Sequence, residues 1–215
     1  MMGLITSVEK MLMGKAAGFN TPRAFIDSLE KEGKLAYHGT AQGDFEKFSM
    51  AKRGTGADAR IAGLGDSGKG IYLTKNPKEA QAYASGLAKE GYGNNPYVHK
   101  VFVNANKPFD MDDIGKKANF VDNTVRKQSN FFKKDLSDAE YSEIYKLAGI
   151  NEKQYNLLRD IEGSVGDNWN DFDIGRTLKQ EGYDSLIAPN KELVVFNSRR
   201  LKTQKQLTDL WNKAR

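Results

Sequence analysis

The chain has 215 residues, 39% of them apolar and 28% charged, with a formal charge of +5 and no cysteine. This composition fits one globular body around a main core and excludes disulfides, thiolate nucleophiles and Cys-rich zinc sites. No stretch approaches the roughly 18 consecutive apolar residues of a membrane helix, and the first residues lack the basic head and apolar run of a secretory signal, so a cytoplasmic protein without membrane partners is expected.

Leu4, Ile5, Val8, Met11 and Leu12 recur at helical spacing, and Thr21-Pro22 opens a second helix carrying Phe25, Ile26 and Leu29. Residues 1–33 therefore read as a helical preface. From Lys34 the pattern changes to a short strand, Leu35-Ala36-Tyr37, followed by His38-Gly39-Thr40 and then Phe45 and Phe48. A glycine-rich stretch, 54–70, leads into a second strand, Ile71 to Thr74. Asn76-Pro77-Lys78-Glu79 supplies an N-cap, a first-turn proline and a capping-box glutamate, which predicts a helix from about 77. Its apolar positions are Ala80, Tyr83, Ala84, Leu87 and Ala88, and Gly91 and Gly93 suit its end. A third strand runs from Tyr97 to Val103, closed by Lys107-Pro108.

Residues 111–181 have helical periodicity, with Ser137-Asp138-Ala139-Glu140 as a capping box, and read as a helical insertion. Strand-like text then returns in Tyr183 to Ile187 and Glu192 to Phe196, a hairpin around a Pro189-Asn190 turn. Thr203 and Gln206 cap a final amphipathic helix, 203–215. Around it Arg199, Arg200, Lys202, Lys205, Lys213 and Arg215 face only Asp209, a basic cluster able to attract an acidic partner or nucleic acid.

Two nucleotide-binding patterns fail on context. Gly63-Leu64-Gly65-Asp66-Ser67-Gly68 satisfies GxGxxG, and Gly63 to Lys69 satisfies most of a P-loop. Both work only when the glycines follow a strand and open a helix whose amides face the phosphates. Here no strand signal precedes them, a strand follows, and Gly70 replaces the magnesium-binding hydroxyl.

Four motifs in order, Tyr37-His38-Gly39-Thr40, Gly68-Lys69-Gly70-Ile71-Tyr72-Leu73-Thr74, Ala80-Gln81-Ala82-Tyr83-Ala84 and Glu192-Leu193-Val194-Val195-Phe196, carry a resemblance. The set resembles the ADP-ribosyltransferase superfamily, in the His-Tyr-Glu branch that contains diphtheria toxin and the poly(ADP-ribose) polymerases. The phrase from Tyr183 to Lys202 is also similar to the ADP-ribosyltransferase domains of phage polyvalent proteins. The resemblance implies an α+β fold, a split antiparallel sheet core with N-terminal helices and a helical insertion, the transferase domain spanning 34–202. It implies an enzyme that uses NAD⁺ as substrate, without metal, releases nicotinamide and attaches one ADP-ribose to a host protein or nucleic acid.

The resemblance also assigns roles. His38, Tyr72 and Glu192 form the catalytic set, and His38, Gly39, Thr40, Tyr72 and Tyr83 bind the dinucleotide. Glu192 stabilises the ribose cation, His38 bonds a ribose hydroxyl, the Gly39 main chain clamps the carboxamide, and Tyr72 and Tyr83 sandwich the nicotinamide. Tyr83 also fits the apolar face of its helix, where an aromatic belongs to ordinary core. His99, outside every motif, reads as structural. Two departures stand out: Ala80 occupies the place of a carboxamide-binding Ser in the polymerases, and Asn190 that of a second Glu in the arginine-modifying branch, so arginine is not the expected acceptor. The alternatives are a catalytically silent NAD-binding or virion-structural module of this fold, or an NAD-dependent RNA 2′-phosphotransferase.

Overall fold

The computed structural model describes residues 6–50, 70–132, 135–164, 174–188 and 191–215. The GxGxxG and P-loop patterns and the Pro189-Asn190 turn lie outside them. The described elements, in chain order, are α1 (Ser7–Ala16), α2 (Pro22–Lys31), β1 (Leu35–Thr40), β2 (Ile71–Leu73), α3 (Pro77–Lys89), β3 (Tyr97–Val103), β4 (Pro108–Asp110), α4 (Met111–Phe132), α5 (Asp138–Ala148), α6 (Glu152–Ser164), α7 (Ile174–Gln180), β5 (Ser185–Ile187), β6 (Leu193–Val195), a 3₁₀ turn (Ser198–Arg200), β7 (Leu201–Thr203) and α8 (Gln204–Lys213).

They form an α+β fold with two sheets, ordered β1-β3-β7 and β2-β6-β5-β4. Among the described strands, all pairings are antiparallel except β4 with β5. This parallel edge is not visible in the sequence, because Lys107-Pro108 looks like a terminator. Pro108 in fact opens β4, on an edge strand where a missing N–H costs least. Similarly, β1 runs on through His38-Gly39-Thr40 because those residues pair with His99, Val98 and Tyr97.

The central strands β3 and β6 are buried on both faces, and the pleat divides their side chains between cores. Val101, Val103 and Leu201 from the first sheet meet Ile71, Leu73 and Val195 from the second, with Ala36 among them. The outer face of the first sheet, through Leu35 and Phe102, packs on Leu12, Phe25, Leu29, Leu207 and Leu210 of α1, α2 and α8. The outer face of the second, through Leu186, Val194 and Phe196, packs on Ile114, Val121, Ile144, Leu158 and Leu178 of the helices between β4 and β5. The layers run helix, sheet, sheet, helix.

The capping boxes expected at Ser137 and Thr203 form, and Thr6 with Glu9 makes another. At Asn76 the N-cap forms on the Lys78 amide, but Glu79 closes no box and accepts instead from the Thr74 hydroxyl and the Asn76 side-chain amide. Much of the basic cluster near the end is committed within the chain: Arg200 pairs with Asp184 at 3.0 Å, Lys202 with Glu9 at 2.8 Å, and Lys205 with Glu46. Asp184 also accepts from the amides of Asn106 and Lys107 at 2.9 and 3.1 Å, tying the β3–β4 loop to the start of β5.

Burial alone would raise the Glu9 pKa, but bonds from Lys202 and Thr6 outweigh it and bring the carboxyl from 4.5 down to about 2. A folded-state value below the unfolded one contributes stability that is present above pH 4.5 and lost as pH falls through about 2. Glu9→Gln is therefore expected to be less stable than the parent at neutral pH, with the difference closing on acidification through that window. Urea unfolding at a series of pH values checks this, and a gap that stays constant with pH would contradict it.

Candidate active site

Among the described residues, the two sheets touch edge to edge at one bridge. The Tyr37 amide donates to Thr74 O at 2.8 Å and the Thr74 amide to Tyr37 O at 2.9 Å. In that register the next pair would be Gly39 with Tyr72, but the bridge is isolated and the strands separate there. The opening between β1 and β2 is the candidate site.

Main-chain phase shows what lines it. Hydrogen-bonding groups alternate sides along an antiparallel strand. Tyr37 points its N–H and C=O at Thr74, so Gly39, two residues on, points its own the same way, into the opening. On the opposite lip, Ala188 N–H bonds Glu192 O at 2.9 Å, which commits Glu192 and, by the same phase, Val194 to β5. Tyr72, paired with Val194, then turns its main-chain groups away from β6 and toward β1.

The His38 ring crosses this gap. Its Nδ1 lies 2.9 Å from Tyr72 O. A carbonyl only accepts, so Nδ1 carries the hydrogen, and in the neutral ring Nε2 is the acceptor nitrogen. The pleat puts the His38 side chain on the Ala36 face, opposite to that of Gly39, against Phe45 and Phe48 at ring separations of 6.2 and 5.2 Å. Behind it His99, 4% exposed, stacks on Phe45 at 3.8 Å and lies 3.3 Å from Gly43 O through Nε2. Burial, more than any other influence, holds the His99 pKa below the ordinary histidine value. In the sequence Phe45 and Phe48 carry no assignment to the site. Their spacing of three, just after the His-Gly-Thr motif, was the available signal.

Glu192 and Tyr72 share a face. The β2–β6 register carried one residue further sets Glu192 opposite Thr74, and Glu192 lies two residues from Val194, the partner of Tyr72. Two strand spacings, about 10 Å, separate the Glu192 backbone from that of Tyr37. Glu192 is half-buried and Tyr72 packs partly on the insertion core.

Helix α3 closes the other side. A Cβ on Gly39 would lie 2.0 Å from Ala80 O and 3.1 Å from Ala84 N, so the helix backbone rests directly on β1. Only glycine permits that approach. Ala80, Ala84 and Leu87 form the buried face of α3, and Tyr83 stands outside it, 42% exposed. The Tyr83 ring is therefore not part of the buried core. Thr40, 8% exposed, accepts from the Gln42 amide at 3.1 Å and so shapes the turn after β1.

The Glu192 hairpin has an unusual last residue. Ala188 and Glu192 are bonded across a three-residue loop, and the Lys191 amide donates to Ala188 O at 2.8 Å. Loops of this length end in a left-handed residue, ordinarily glycine. Here it is Lys191, at φ 66°. Its ammonium pairs with Asp112 in the first turn of α4, and the Asp112 amide is in turn capped by the Asp110 carboxylate at 3.0 Å. Nothing in the sequence flags Lys191, since a lysine at positive φ has no compositional mark. Among the described residues, no group of three His, Asp or Glu side chains is placed to hold a metal ion, and no helix is long and apolar enough to cross a membrane.

A family model described as ADP-ribosyltransferase in polyvalent proteins matches residues 30–206, more than half of the chain. The chain belongs to that family. The match takes in all four motifs and the helices between β4 and β5. No curated protein and no solved structure matches the chain. As an ADP-ribosyltransferase fold, the molecule has its expected split: two small sheets meet at one bridge and part beside it.

Proposed function

We propose that the cleft between β1 and β2 binds NAD⁺ and that the protein transfers its ADP-ribose to a protein side chain. The observation that carries this reading is the single Tyr37–Thr74 bridge. Beside it Gly39 and Tyr72 turn main-chain groups toward one another and the His38 ring bonds Tyr72 O. Glu192 shares the Tyr72 and Gly39 face and the His38 side chain leaves from the other, which supports a site reached through the opening.

The chemistry follows from charge. The bond between ribose C1′ and the nicotinamide nitrogen breaks, its electron pair leaves with nicotinamide, and positive charge passes to the ribose. The leaving group departs neutral and needs no proton. What the reaction demands is negative charge beside the sugar as the cation develops, a differential stabilisation that a fixed carboxylate supplies. Glu192 has that role. Gly39 N–H and C=O bond the carboxamide, and the acceptor nitrogen of His38 takes a hydrogen bond from a ribose hydroxyl. Tyr72 and Tyr83 flank the pyridinium ring. The acceptor's nucleophile then bonds C1′ and gives its proton to water.

A protein acceptor is favoured over nucleic acid because Arg200, Lys202 and Lys205 are already paired with Asp184, Glu9 and Glu46. Incubation with radiolabelled NAD⁺ and a cell lysate tests the reading. Label on protease-sensitive material with release of nicotinamide is expected, and no turnover of NAD⁺ by the intact chain would sink it.

Tyr83→Ala provides a separate check. Loss of one stacking face on a desolvated cation costs roughly 1–2 kcal/mol, or about a tenfold rise in the KM for NAD⁺. Because Tyr83 lies off the buried face of α3, the melting temperature is expected to stay near that of the parent. An unchanged KM would remove Tyr83 from the site.

A further inference from the structure

The left-handed Lys191 and its partner in α4 point to a task for the helices between β4 and β5. We propose that this insertion positions Glu192, with Asp112 of α4 holding Lys191 so that the hairpin presents its carboxylate to the cleft. The inference rests on Glu192 as the reacting carboxylate.

Three observations converge on it. Lys191 occupies a backbone conformation that glycine adopts freely and an L side chain does not, at the residue directly before Glu192. Its side chain reaches Asp112, which the Asp110 cap fixes at the head of a 22-residue helix. That helix in turn shares a core with Val194, two residues beyond Glu192, and with Tyr72 on the facing strand. The insertion therefore grips the hairpin on both sides of Glu192, by a charge pair before it and by apolar packing after it. A glycine at 191 would relax the backbone but remove the Lys191–Asp112 pair that joins the loop to α4. Exposed ion pairs contribute little to global stability. The value of this one lies in direction, because a reacting group displaced by about 1 Å can cost roughly 10²-fold in rate.

Lys191 and Asp112 are thus positioning residues that act through Glu192. The test measures nicotinamide release and thermal unfolding for the parent, Lys191→Gly, Lys191→Arg, Asp112→Asn and the Lys191→Gly/Asp112→Asn double variant. Lys191→Gly and Asp112→Asn are each expected to lower kcat about tenfold, inside the range set by misplacement, with the KM for NAD⁺ unchanged. The Lys191→Gly protein melts no lower than the parent, a result that a merely structural lysine would not give together with lost turnover. Lys191→Arg retains most of the activity. The double variant is no worse than either single one, the non-additivity of two residues sharing one interaction.

Parent-like kcat in Lys191→Gly, with an active parent, overturns the positioning role and leaves the reading of Glu192 standing. An inactive parent, or undiminished turnover in Glu192→Gln, removes that reading and the proposal with it.

Discussion

Replacing Glu192 by Gln is expected to lower turnover by about 10²–10³-fold while NAD⁺ still binds, the size of effect seen when one preorganised group is lost at a developing charge. Gln keeps the shape and one acceptor oxygen of the side chain but removes the charge. The ground state, in which the positive charge still resides on the nicotinamide, hardly registers the change. The transition state, with that charge on the ribose, loses its counterion. The effect therefore falls on kcat, and the dissociation constant for NAD⁺ moves little. Single-turnover release of nicotinamide together with a direct binding titration separates the two quantities. Parent-like turnover in the variant would remove Glu192 from the chemistry, whatever happened to binding.

Gly39→Ala should have the largest effect on stability among simple substitutions at the site. The added methyl would sit 2.0 Å from Ala80 O, with Ala80 C and Ala84 N at 3.0 and 3.1 Å. All three are main-chain atoms of α3, so no rotamer change relieves the clash and the helix must move off β1. A loss of about 3 kcal/mol is expected, the upper end for overpacking. Displacing α3 would also move Tyr83, the residue proposed to flank the nicotinamide. The same helix contains a control in Gly86, where an added Cβ meets nothing within 4 Å. There Ala should stabilise by roughly 0.5–1 kcal/mol through helix propensity alone. Urea midpoints of the two variants should move in opposite directions. A Gly39→Ala protein as stable as the parent would mean that α3 does not lie on β1 as described.

These contrasts indicate which parts of the molecule are legible in its sequence. The caps at Thr21, Asn76, Ser137 and Thr203 were readable because capping is local, a matter of three or four neighbouring residues, and each forms. The candidate site was readable as motifs in order. Gly39 stood out beside His38, although the sequence suggested an approach by substrate, whereas the structure adds an approach by the Ala80 carbonyl where a side chain would stand. What stayed hidden depends on residues far apart in the chain. Pairing of Pro108–Asp110 with Ser185–Ile187 joins segments separated by the whole insertion, and three-residue strands have too short a period to announce themselves. The exposure of Tyr83 was also undecided, because helical spacing says only that Ala80, Tyr83, Ala84 and Leu87 share a side, not which of them the sheet covers. Lys191 was invisible for a different reason: its backbone angle belongs to the loop, and the residue expected there is glycine.

The parallel pairing of β4 with β5 limits how this chain could be shortened. Two strands running in the same direction cannot be joined by a hairpin, since the chain must first travel back along their length, and that return takes a dozen residues or more. The helices from Met111 to Gln180 are that return path. An evolutionary shortening down to a single helix would leave the sheet order intact, whereas deletion to a tight turn would reverse one strand and break the edge beside Leu186.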